Sequence, residues 1–407
     1  MARRCKPPAW GPRRFGPGSL VISMGLTPFL LPACGTDKEK RRIEPTFIEV
    51  NIEGDLGTEE APLPFSGEPV SWPVSVATFD VHRDPYPFEG DLTAHVRPGQ
   101  LSGDPHIAIT GGEWTGTLTF EAGFGPTRLW MSDEGDKDVD TGRSPSFATG
   151  VTEAIHYAFP TIAEVQVTDD PETNQIAGEW GEFRVSDREV VVTVVGTDGF
   201  WVTDLLDGPA AYGSLFIYTF GKPHNVVVGS HIASLSGGMQ EYLATTQINF
   251  PTYTVVPDAT LTPPAPAVLD AAALCANSEV DPLLAEAFES SLVELQGATI
   301  PDSVGVNGDD YADFLEFGQW PVTADNGCVF YVESSSTVDF SPPDHTGATV
   351  NHVRGVLTEV WNKWVIQVRD LDDLDVVGAS ASARQAAPPA RPASPSRLQP
   401  RSPLGSP

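Results

Sequence analysis

Between residues 190 and 250 the chain is written in short β-branched and aromatic runs separated by turn residues. Val190–Val195 is followed by Thr197-Asp198-Gly199, then by 200–204, a loop, 215–218, a second loop, and a stretch over 226–250 that reads as a hairpin. Runs of this length and spacing predict the strands of a small closed β-barrel. Along a strand, neighbouring side chains fall on opposite faces. Phe200 and Val202 therefore share one face, as do Leu215 and Ile217, while Trp201, Phe216 and Tyr218 fall on the other. If Val202, Leu215 and Ile217 turn inward, the three rings form a strip on the outside.

The same alternation continues on both sides. Leu92, Ala94 and Val96 alternate with Asp91, Thr93 and His95, and Leu118 and Phe120 alternate with threonines. Breaks at Asp84-Pro85, Pro98-Gly99, Gly111-Gly112 and Gly123 divide the region into short strands, so residues 61–158 are expected to form an immunoglobulin-like sandwich. The acidic stretch 133–140 lacks the glycine position and the final Glu of a calcium loop and reads as a solvated loop. Residues 159–258 form the first barrel. A Pro-rich linker, Thr262-Pro263-Pro264-Ala265-Pro266, lies within 259–275, and 276–377 reads as a second barrel. There a short helix is expected over 283–288, strands over 292–296, 313–318 and 329–332, and a closing hairpin of 352–357 with 364–369, turned at Asn362-Lys363. The fold class is all-β: a sandwich followed by two barrels.

The series Gly199-Phe200-Trp201-Val202-Thr203-Asp204, Leu215-Phe216-Ile217-Tyr218-Thr219, Val228-Gly229-Ser230, Gln240-Glu241-Tyr242 and Thr246-Gln247-Ile248 resembles the OB-fold modules of secreted bacterial nucleases and of surface lipoproteins. The family usually has Gly-Asp where Gly229-Ser230 stands, and a hairpin glycine where Leu243-Ala244 stands. The resemblance covers residues 159–258 and continues as a diverged repeat in the second half. It implies tandem OB-fold-like barrels, whose strand 2 and 3 face commonly stacks bases or sugar rings. On that face Trp201, Phe216 and Tyr218 are the ligand-binding candidates. The alternative is that a neighbouring domain covers the strip, which is then packing.

The N-terminus carries a different signal. Arg3, Arg4, Lys6, Arg13 and Arg14 precede an apolar run over 20–31 that is too short to span a bilayer, and the run ends in Leu31-Pro32-Ala33-Cys34. This pattern looks like a bacterial lipobox. Residues 1–33 are then a lipoprotein signal peptide, Cys34 the lipidated first residue of the mature chain, and 34–60 a polar tether. An ordinary signal peptide cut near Ala33 is the alternative. The expected location is the bacterial cell envelope, at the outer membrane, held there by lipid. With Cys5 removed and Cys34 acylated, Cys275 and Cys328 remain; in an oxidising compartment they are expected to pair, two separate buried thiols being the alternative. From 378 to 407 the chain is rich in Ala, Ser and Pro, with Arg384, Arg391, Arg397 and Arg401 and no acid, the composition of a disordered tail.

Charge limits the partners. The formal net charge is −31 at pH 7, and removal of the basic leader makes the mature chain more acidic still. Such a field opposes phosphate backbones, which are held by Lys and Arg. No Gly-x-Ser-x-Gly, His-Glu-x-x-His, phosphate loop or Cys-x-x-Cys is present, and the closest histidines of interest, His224 and His231, read as surface residues. The sequence therefore predicts no enzyme, no cofactor and no metal. It predicts a binding or structural module whose partner is an envelope protein or a glycan. The competing reading, which rests on the resemblance, is an accessory component of a secreted nuclease or nucleic-acid-handling system.

Overall fold

The computed structural model describes residues 45–133, 147–334 and 340–378. Most of the acidic loop after Asp133, the leader with Cys34, and the basic tail lie outside these residues. The described chain is all-β with a few short helices.

The first lobe consists of two antiparallel sheets over one core. β1 (Pro45–Ile52), β2 (Val70–Asp80), β6 (Glu113–Glu121) and β4 (Gln100–Ser102) lie in that order in one sheet. The other orders β5 (His106–Ile109), β3 (Gly90–Arg97), β7 (Pro126–Ser132) and β8 (Gly150–Val151), with β9 (Ile155–His156) also on β7. Period-two burial builds the core: Trp72, Val74 and Val76 from β2 meet Leu92, Ala94 and Val96 from β3. The segment expected as tether is shorter than 34–60. Ile48 and Val50 are buried and alternate with Glu49 and Asn51, so 45–52 pairs along β2 as an edge strand.

The second lobe begins with α1 (Ile162–Gln166), fixed by a capping box in which the Thr161 hydroxyl accepts from the Glu164 N–H and the Glu164 carboxylate accepts from the Thr161 N–H. β10 (Trp180–Phe183) then leads to β11 (Val190–Val195), β12 (Gly199–Asp204), β13 (Ser214–Tyr218), β14 (Ser230–Tyr242) and β15 (Thr245–Thr260). The sheet order β11-β12-β13-β15-β14 closes on itself where Val191 meets His231, with β13 parallel to β15. Phe200, Val202, Leu215, Ile217, Ile232 and Ile248 fill the barrel. Phe124 of the first lobe joins this cluster, and its ring lies against Gly181, where any Cβ would overlap it.

β15 runs to Thr260, so the linker begins later than 259 and is not bare. β16 (Ala267–Val268) runs parallel to the second barrel's first strand, and α2 (Ala271–Leu274) buries Leu274 in its core. After β17 (Cys275–Ala276), β18 (Glu279–Val280) and α3 (Pro282–Glu286) comes a second closed barrel: β19 (Leu292–Thr299), β20 (Gln319–Ala324), β21 (Val329–Glu333), β22 (Thr349–Val360) and β23 (Lys363–Gln367), flanked by β24 (Leu374–Val377). Its order β19-β20-β21-β23-β22, closed by β19 on β22 with β21 parallel to β23, repeats that of the first barrel. Two closed five-stranded barrels with this order are compatible with OB-fold-like modules. Cys275 and Cys328 form a disulfide across 53 residues and tie the entry of the lobe to the start of β21.

Two expectations in this lobe change. The strand read over 313–318 is a helix, α4 (Tyr311–Phe317), ended by Gly318 at φ 72, whose N–H bonds back to the Phe314 carbonyl at 2.9 Å. Its apolar residues follow a helical turn with only Phe314 buried, and the true strand is the next run, beginning at Gln319. The closing hairpin turns at Trp361 and Asn362, both left-handed (φ 56 and 60), and Lys363 already lies in β23.

Candidate functional site

The strand alternation sets out a line of aromatic rings along the outside of the first barrel. β12 and β13 pair antiparallel with Trp201 opposite Phe216. Their rings stack with centroids 4.6 Å apart at 28°. Glycines provide the seats: a Cβ on Gly199 would fall 2.6 Å from Phe216 Cε2, and one on Gly196 would fall 3.1 Å from Trp201 Cζ3. Leu292 of β19 and Val356 of β22 cover this end and form one cluster with Val194, Trp201 and Phe216. Trp201 is 7% exposed and Phe216 is 3% exposed. In this arrangement the two rings are packing between the barrels, because the second barrel occupies the face a ligand would use. Tyr218, the third candidate, stands half-buried at the margin, 6.2 Å from Phe216.

Beyond Tyr218 the line continues into solvent. Phe220 stacks obliquely on Tyr218 at 4.4 Å, Phe250 on Phe220 at 4.5 Å, and Trp180 lies 6.2 Å from Phe250 at 28°. These three rings are 44%, 62% and 57% exposed. Phe220 follows Phe216 and Tyr218 by the same step of two. Phe250 reaches the outer face by a different route. Ile248 points into the barrel, and continued alternation would send residue 250 inward too. Phe250 instead takes φ 49, and the register between β14 and β15 shifts between Ser236 and Gly238, which turns the ring outward. Phe220 is also left-handed, at φ 60. Aromatic residues rarely adopt this region, and such strain concentrates at functional positions. Trp180 lies across from Gly238, and a Cβ there would fall 2.9 Å from Trp180 Cε3, so the bare strand is the bed of the indole.

A cleft of about 420 Å³ lies beside Phe220 and Phe250, walled by Lys222, His224 and Tyr253. The loop over it is held from within: Thr219 Oγ1 donates to the carbonyls of Asp198 and Gly221, and the Tyr253 hydroxyl donates to the His224 carbonyl at 3.0 Å. Burial raises the Tyr253 pKa, which keeps the hydroxyl a donor. Next to the rings, Asn249 bonds to Gln240, and Gln247 Nε2 donates to Asn249 Oδ1 at 3.1 Å. His231 has a separate partner, the Arg188 carbonyl at 3.2 Å. A larger cleft of about 780 Å³ lies between the first lobe and α1, but two of its polar atoms, Trp72 Nε1 and the Tyr157 hydroxyl, already bond to each other.

No protein-family model, curated protein or solved structure matches the chain. The site must therefore be judged by its chemistry. It has open ring faces, side-chain amides and one lysine.

Proposed function

We propose that this chain is an exported, lipid-anchored, non-catalytic protein of the bacterial cell envelope, at the outer membrane, and that its first OB-fold-like barrel binds a neutral glycan. The exposed row Phe220, Phe250 and Trp180 carries this reading. Sugar rings present apolar C–H faces that stack on aromatic faces, and their hydroxyls bond to amides of the kind that Asn249 and Gln240 supply. The acidic chain favours a neutral ligand over a polyanion. The immunoglobulin-like first lobe and the second OB-fold-like barrel act as spacer and brace. The lipid on Cys34 holds the whole at the membrane.

A second reading, single-stranded nucleic acid handled as part of a nuclease system, is favoured by the same stacked rings and by Lys222 beside them. Both readings are tested by measuring binding of wild type, Phe250→Ala and Trp180→Ala to an oligosaccharide panel and to single-stranded DNA, with melting curves to confirm folding. Glycan binding lost in variants that melt like wild type supports the proposal. Binding of DNA alone supports the second reading, and unchanged glycan binding in both variants removes the site.

A further inference from the structure

Four carboxyl groups gather where the two barrels meet, away from any role in ring stacking. They are Glu241 near the end of β14, Glu286 on α3, Glu289 just after it, and Glu359 near the end of β22. Glu286, Glu289 and Glu359 are buried at 2%, 0% and 4% exposure. Their few partners are neutral. Thr246 Oγ1 donates to Glu241 Oε2 at 2.7 Å, and Glu289 Oε2 accepts from the Thr246 N–H at 3.2 Å and from Gln166 Nε2 at 3.3 Å. Among the described residues no Lys, Arg or His forms an ion pair with any of the four.

The other titratable groups facing them are Tyr212 from the loop between β12 and β13, Glu172 after α1, and Asp169 beside Tyr212. All are acids or a phenol. Acceptor atoms are in excess as well: Gln166 Oε1, Glu241 Oε1, Glu286 Oε2, Glu289 Oε1 and Glu359 Oε2 are buried without a donor, as is the Ser290 hydroxyl. Leaving so many buried acceptors and charges unpaired is costly. Among the described residues, no three of His, Cys, Asp and Glu converge closely enough to hold a metal ion. Protons on the carboxyls themselves would supply donors and remove the unpaired charge.

The barrels close around this seam. The Tyr212 N–H donates to the Ala287 carbonyl at 3.0 Å, Thr245 Oγ1 donates to the Glu359 carbonyl at 2.7 Å, and Trp201 and Phe216 pack on Leu292 and Val356 alongside. We propose that the acidic seam is a proton-operated latch: with its carboxyls protonated the barrels dock, and with them ionised the barrels part and uncover Trp201 and Phe216. The latch does not depend on the glycan reading.

Burial, chiefly, raises Glu241 and Glu359 to about 7 and Glu286 to about 8, and raises Glu289 well above the ordinary carboxylate range, with a neighbouring acid adding to each. Each group therefore binds its proton more tightly docked than free, where a Glu titrates near ~4.3. The docked state holds more protons between these limits, so docking is strongest below pH about 4.5 and weakens as pH rises to about 8.

Hydrogen exchange of the Tyr212 and Thr246 amides, which donate across the seam to the Ala287 carbonyl and the Glu289 carboxylate, is measured in the full chain, corrected for intrinsic rate, and reads the opening between pH 5 and pH 8. In wild type, protection should fall by about tenfold or more over this range. A variant carrying Glu241→Gln, Glu286→Gln, Glu289→Gln and Glu359→Gln should stay protected throughout. If that variant does not fold, Glu289→Gln alone carries the test, since the slope of log protection against pH should lose up to one proton. A slope or profile identical to wild type overturns the latch. So does millimolar calcium that restores wild-type protection at pH 8, which would assign the seam to a cation.

Discussion

Glycine positions decide how the rings lie. Gly196, Gly199 and Gly238 each face an aromatic ring at a distance that no β-carbon would allow without movement. For Gly238→Ala, Trp180 must slide off its bed, because the ring is the nearest obstacle and, being exposed, has room to move. The expected outcome is a changed tryptophan emission spectrum and glycan affinity lower by about tenfold, ~1.4 kcal/mol, with a melting temperature within a few degrees of wild type. Trp201→Ala should behave in the opposite way. It empties part of the contact with Leu292 and Val356, and its cost of about 3 kcal/mol should appear in denaturant titration, as for other buried aromatic truncations. The outward parity of Trp201, Phe216 and Tyr218 was legible in the sequence, since it follows from alternation alone. Their cover was not, because the residues that provide it lie some 75 to 155 positions further along the chain. Phe220 could have been found by extending the same step of two. Phe250 could not, because a left-handed residue inverts the alternation and nothing about a phenylalanine announces that conformation.

Strands were legible where one face is buried and the other wet, and the misreadings occur where surrounding charge hides that contrast or where an apolar run lacks it. Residues 45–52 look like tether because charged positions surround them, yet Ile48 and Val50 carry the period of an edge strand. Residues 313–318 look like a strand because Phe314, Leu315 and Phe317 crowd into a short run, yet Leu315 and Phe317 are exposed and Gly318 stops a helix. Turns are harder still. The β22–β23 hairpin uses Trp361 and Asn362, both at positive φ, in place of the Asn-Gly pair that such a two-residue turn favours. Trp361 is 72% exposed, so replacing it removes little packing. The double change Trp361→Asn, Asn362→Gly should therefore raise stability by roughly 1 kcal/mol, read as a higher urea midpoint with unchanged slope. A lower midpoint would mean that the indole has a contact worth more than the strain it imposes.

The molecule is coupled lobe to lobe by side chains that cross boundaries: Phe124 enters the first barrel's core, and Leu292 and Val356 seal its aromatic face. Lobe count and class follow from alternation and from the Pro-rich break, whereas these crossings depend on three-dimensional approach and leave no periodic trace. The disulfide sits at the next joint. Cys328 is fully buried in the second barrel, while Cys275 ends the segment that arrives from the linker. Closing a loop of 53 residues restricts the unfolded chain by about 4 kcal/mol on the loop-entropy account. Cys275→Ser with Cys328→Ser should thus lower the stability of the second barrel by roughly 2–4 kcal/mol. Because that barrel covers Trp201 and Phe216, its loss should also expose them, so tryptophan emission should shift to the red in the same transition. Separate transitions for the two signals would show that the first barrel keeps its aromatic face covered without help from the second. Coincident ones, absent when wild type is oxidised, would show that the covalent tie at the linker holds the packing between the barrels.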